Sequence, residues 1–142
     1  GASVRITNIP GYLPMRNAPA LQEVMRQNAI ALIGRERVSV VAPTRTRGGS
    51  TDMGDLSHIM PAVHPYVGGA TGTGHSKDYI VKDYQRAVII PAKVMAATVI
   101  DLLADGAVKA REVLARSRPA MTKEEYLAFQ RARSEVVERR GE

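Results

Sequence analysis

Residues 82–104 form a strongly apolar stretch with a helical pattern, and any fold of this chain has to be built around it. Pro91 lies inside the stretch. A proline there removes an intrahelical amide and crowds the carbonyl four residues back, which predicts a kink or a split. Phe occurs once and Trp not at all, so the core around this helix must come from Val, Ile, Leu, Met and Ala. No unbroken apolar run reaches about eighteen residues, and from that criterion no transmembrane helix and no membrane partner are expected. The 142 residues, 44% of them apolar, suit one domain with a real core and do not suit a disordered chain.

The remaining elements are read from spacing and punctuation. Ser3-Val4-Arg5-Ile6-Thr7 alternates as a half-buried strand, and Pro10, Gly11 and Pro14 stop it and make an extended connector. A helix is expected to begin near Pro19, capped at Asn17 or Ala18, with Leu21, Val24, Met25, Leu32 and Ile33 on one apolar face and Gly34 as its stop. Arg37-Val38-Ser39-Val40-Val41 reads as a short strand, and Ala62-Val63-His64-Pro65-Tyr66-Val67 as a buried one. Two polar, glycine-bearing loops, residues 44–52 and 68–74, separate these segments from the long helix. Two short helices follow the long one, the first near 107–117. The second opens with a capping box at Thr122 and Glu125 and turns Tyr126, Phe129, Val136 and Val137 inward. The order defines an α/β chain with few strands and no internal repeat.

The net charge of +6 is concentrated at the front: residues 1–50 hold seven Arg against Glu23 and Glu36, densest at Arg35, Arg37, Arg45 and Arg47. No interleaved aromatics or recognisable motif accompany them. A nucleic-acid partner is therefore not expected, and a solvated surface or a site for an acidic group is the better reading. The absence of cysteine excludes disulfides and thiolate metal sites, so any metal must be held by His, Asp or Glu. It also fits a reducing, cytoplasmic compartment. The first residues show no basic-then-apolar signal pattern.

Three histidines are the natural starting point for chemistry. His75, in Gly72-Thr73-Gly74-His75-Ser76, sits where a glycine-rich approach lets an imidazole point into a cleft, although from pattern alone a surface histidine in a turn is the simpler reading. His64, in an apolar run, reads as a hydrogen-bonded core histidine, and His58 is open. Asp52 and Asp55 flank Gly54. Their turn could hold an anion on its amides or orient an imidazole. The plainer alternative is a helix N-cap at Ser50, Thr51 or Asp52 with early acids favoured by the helix dipole.

The run Gly49-Ser50-Thr51-Asp52-Met53-Gly54-Asp55-Leu56-Ser57-His58-Ile59-Met60-Pro61-Ala62-Val63-His64-Pro65 resembles the Gly-Ser-Thr-Asp-x-Gly-Asp/Asn-x-Ser segment of family twenty of the metallopeptidases. That family is of the aminoacylase and carboxypeptidase G type, and the similarity is to its p-aminobenzoyl-glutamate hydrolase branch. Gly72-Thr73-Gly74-His75-Ser76 is similar to that branch's Gly-x-x-Gly-His-Ser segment, and Met121-Thr122-Lys123-Glu124-Glu125-Tyr126 and Ile9-Pro10-Gly11-Tyr12-Leu13-Pro14 look like the same group. The resemblance implies a C-terminal portion of a two-metal amidohydrolase. Residues 1–16 would end an inserted lid domain and its connector, and residues 17–142 would belong to a catalytic domain with a central sheet flanked by helices. It further implies two divalent ions, zinc or manganese, with His75 as a ligand of one. Gly49, Ser50, Thr51 and Asp52 would position the substrate, an N-acyl amino acid amide or a small dipeptide. The rest of the catalytic domain would be a partner, and homodimers would form through the lid. The family's first His-x-Asp segment, bridging ligand and Glu-Glu pair have no counterpart in these 142 residues. No catalytic residue is therefore assigned, and the chain alone is expected to be inactive. The alternative is a non-catalytic module that packs on a partner subunit.

Overall fold

A computed structural model describes residues 1–40 and 51–141. The first strand, β1 (Ser3–Asn8), forms where its alternation predicts, but it is exposed along its whole length and not half-buried; it pairs antiparallel with β4 (Glu135–Arg140), from Ser3 opposite Arg140 to Asn8 opposite Glu135. Val136 and Val137 thus belong to a strand and not to the preceding helix. The run Glu135-Val136-Val137-Glu138 is β-branched at its centre, and pairing with β1 satisfies its backbone where a helix would gain little from those side chains.

Helix α1 (Pro19–Ile33) starts at the proline, with Ala18 as its cap, and stops at Gly34, whose φ of 84° is open to glycine without a side-chain clash. Leu21, Val24, Met25 and Ile33 are half-buried, while Leu32 turns to solvent. A short 3-10 turn (Arg35–Arg37) comes next, and residues 38–40 form no strand. Val41 lies outside the described residues. Helix α2 (Met53–Ile59) begins directly after the first expected loop, with Asp52 at its N-cap position, one of the three positions at which a helix start is expected. Ala62 makes one parallel bridge to Asn17, but residues 63–69 form no strand. The second sheet is a small hairpin, β2 (Ala70–Thr71) against β3 (Ile80–Val81). Among the described residues there is accordingly no central sheet: helices are combined with two separate two-stranded antiparallel sheets. A buried strand needs a neighbour along its length to satisfy its amides and cover its faces, and residues 38–40 and 62–67 find one only at Ala62.

The apolar stretch becomes a π-helical turn (Gln85–Ile89) leading into helix α3 (Ile90–Arg116), so the disturbance anticipated at Pro91 appears immediately before it. Left-handed backbone at Asp105, Gly106 and Ala107 breaks α3 in two, where the sequence placed the boundary between two helices. Helix α4 (Lys123–Ala132) opens with the full reciprocal capping box of Thr122 and Glu125.

Helix α3 packs on α1 with Val94 and Thr98 buried, and the Asn28 amide donates to Asp101 at 2.8 Å between the two helices. Its opposite face carries Met95, Val99, Ile100 and Leu103, and the last two are 66% and 65% exposed. By length and composition Gln85–Arg116 is also long and apolar enough to cross a membrane, with a mean hydropathy of 1.9 over its most apolar part. The unbroken-run criterion passes over it because Lys93 and Asp101 interrupt the sequence. Apart from Val94, only Ala62 and Val113 are buried apolar residues among those described.

Candidate functional site

Helix α2 grips the connector that precedes α1. The Leu13 amide donates to Asp55 Oδ1 at 2.8 Å, and the Arg16 amide donates to Ser57 Oγ at 2.9 Å. Ser57 in turn donates to the Gly54 carbonyl at 2.5 Å. His58 Nε2 lies 2.9 Å from the Pro14 carbonyl oxygen; that oxygen can only accept, so Nε2 carries the proton. Gly54 is buried against the connector, and a Cβ there would collide with the Leu13 carbonyl oxygen. Beyond the helix, the Ala18 amide donates to the Ala62 carbonyl and the His64 amide to Asn17 Oδ1, both at 2.8 Å. The far end of α2 is tied down as well, since the His58 carbonyl accepts from the amides of Ala120 and Met121. The polar side chains of Gly54-Asp55-Leu56-Ser57-His58 are therefore engaged with backbone and hold the connector in place.

The residues just before α2 are engaged differently. Thr51 Oγ1 accepts from the Met53 amide at 3.3 Å, whereas Asp52, at the N-cap position, makes no capping bond and is exposed. The helix-start alternative thus describes the position, but the Asp52 carboxylate does not perform the cap. Gly49 and Ser50 lie outside the described residues.

His75 occupies the tip of the β2–β3 hairpin. Its φ of 65° is left-handed, an uncommon and strained conformation for a residue with a Cβ, although histidine tolerates it better than most. The turn is held from below. The Ser76 amide and hydroxyl both donate to the Thr73 carbonyl, and the same hydroxyl meets the Asp78 carboxylate. That contact, together with backbone amides, keeps the Asp78 carboxyl below its ordinary range. The imidazole itself is exposed and makes no hydrogen bond with a described residue. His64 is half-buried and meets Tyr66 edge-on, with ring centroids 5.5 Å apart, so it is not the core histidine its surroundings suggested.

None of the hydrogen bonds joins the His75 turn to Thr51 or Asp52. Among the described residues, no group of three or more His, Asp and Glu is arranged to hold a metal ion. One imidazole does not satisfy even a single divalent ion, which needs several ligands. The residues present do not by themselves fit a two-metal centre. Comparison with family models, with curated proteins and with solved structures gave no match to this chain.

In the sequence, Asp55 is a candidate for orienting an imidazole, Ser57 carries no role of its own and His58 is open. The signal for their structural work is Gly54, a glycine inside a polar helix start, which marks a close backbone approach.

Proposed function

We propose that this chain is the C-terminal part of a two-metal amidohydrolase that cleaves the amide bond of N-acyl amino acids or small dipeptides. It contributes His75 as one metal ligand and the Gly49, Ser50, Thr51 and Asp52 turn as part of the substrate pocket. The observation that carries the reading is the ordered pair of segments, Gly49 to Pro65 and Gly72 to Ser76. It is supported by the exposed, uncommitted imidazole of His75 on a braced left-handed turn. An imidazole held out from a small hairpin, with its own backbone fixed, can join ligands supplied by another part of the protein. The remaining ligands and the proton-transferring carboxylate lie outside this chain in this reading, and no catalytic step is assigned to its residues. The expected metals are zinc or manganese, which would activate water and polarise the amide carbonyl when bound.

The test is hydrolysis of N-acetyl amino acids, p-aminobenzoyl-glutamate and dipeptides by the protein expressed from its complete reading frame, with zinc or manganese. His75→Ala is expected to lower metal-dependent activity by at least about 100-fold, since even the partners of metal ligands are worth about 10- to 100-fold. Metal-dependent hydrolysis indifferent to His75 would remove its role, and no hydrolysis of any of these amides would remove the reading.

A second reading, a non-catalytic module that packs on a partner subunit, is favoured by the bare outer face of α3. Met95, Val99, Ile100 and Leu103 form an apolar row at helical spacing that no other described element covers. The two readings separate on activity, since only the first predicts metal-dependent hydrolysis.

A further inference from the structure

Where the connector enters α1, beside α2 and the segment after α3, there is a cavity of about 100 Å³. Arg16, Arg116 and Arg118 all line it, together with Asn17 and Ser117, and no Asp or Glu does. None of the three guanidinium groups forms an ion pair or hydrogen bond with a described residue. The Asn17 side chain accepts from the His64 amide through its oxygen, which leaves its NH₂ as an uncommitted donor.

Arg16, Arg116 and Arg118 are exposed and line one small cavity, a gathering of like charge that surface arginines ordinarily relieve by pairing with carboxylates or by diverging. Arg116 has a structural reason to be here, because it lies in the last turn of α3 and complements the negative end of that helix. That reason does not extend to Arg16, which sits in the connector, or to Arg118, which lies beyond the helix end. The positive end of α1 adds to the same field: Ala18 and Pro19 line the cavity, the cap makes no side-chain bond, and the first turn contains no acid. At about 100 Å³ and open to solvent, the cavity has room for a small oxyanion. Guanidinium forks match the oxygen pairs of phosphate and carboxylate groups.

We propose that this cavity binds a small oxyanion, held by Arg16, Arg116 and Arg118. The site is built from elements other than the His75 hairpin, and the proposal does not rest on the amidohydrolase reading.

The test is a nuclear magnetic resonance titration of the full chain with sodium phosphate, then separately with sodium acetate, each against sodium chloride at matched ionic strength. The expected result is saturable shifts confined to the amides of residues 16–18 and 116–118 and to the three arginine side chains. Saturation by phosphate alone identifies a phosphate-type ligand, and equal saturation by acetate a carboxylate. Arg116→Ala/Arg118→Ala should weaken binding by about tenfold or more. Arg116→Lys/Arg118→Lys, which keeps the charge and loses the fork, should fall between. Arg139→Ala/Arg140→Ala removes the same charge elsewhere and should leave the affinity within about twofold. Shifts that track ionic strength alone, or an equal loss in the control pair, would overturn the proposal.

Discussion

Gly54 carries more of the structure than its size suggests. Its missing side chain lets α2 lie directly on the connector, and Asp55, Ser57 and His58 then reach three backbone groups of residues 13–16. Gly54→Ala should destabilise the protein by about 1–3 kcal/mol, because the clash is with backbone and not with a side chain that can swing away. A urea midpoint unchanged from the parent would contradict that placement. Ser57→Ala leaves the Arg16 amide without its acceptor and should also cost about 1–3 kcal/mol. On the β2–β3 hairpin, Asp78 has its folded-state pKa depressed by the Ser76 hydroxyl. Its contribution to the His75 turn is therefore present above the ordinary aspartate value of 3.8 and is lost as pH falls through the lower, folded value. Amide shifts of residues 73–78 tracked down in pH should report that transition below 3.8, and Asp78→Asn should abolish it. The residue types at both places are legible in the sequence, but their partners are not. Nothing in the spacing of Asp55 and Ser57 says that a connector some 41 or 42 positions earlier will pass beside them.

Helices are legible where their signals are local. Pro19 and Gly34 bound α1, Thr122 and Glu125 open α4, and the Asp105-Gly106-Ala107 break divides α3 near the place where spacing puts a boundary. Thr122→Ala removes one half of the capping box and should cost about 1 kcal/mol in thermal or urea unfolding. Strands are legible only in part, because a strand is decided by its neighbour. The alternation of β1 is enough to find it, yet its partner lies at the other end of the described chain, in a run whose apolar residues the sequence pattern assigns to a helix. Residues 38–40 and 63–67 have the composition of buried strands and lack the neighbours that would make them so.

At the scale of the molecule, the main feature is the imbalance between a small core and the apolar outer face of α3. Burying a large apolar side chain fully contributes about 1.5–3 kcal/mol, so covering Met95, Val99, Ile100 and Leu103 would stabilise an assembly by several kcal/mol. Ile100→Glu should leave the helical content of the chain unchanged, because that side chain already faces solvent, and should abolish association with whatever covers the face. Sedimentation and circular dichroism of parent and variant check the two halves of that statement. The proposed chemistry would share that incompleteness: His75 presents one exposed imidazole, and among the described residues no group of three or more His, Asp and Glu is arranged to hold a metal ion. Calorimetric titration of zinc into this chain is the decisive measurement. Weak binding of at most one equivalent, lost in His75→Ala, is the predicted result, whereas tight binding of two equivalents by the chain alone would contradict it.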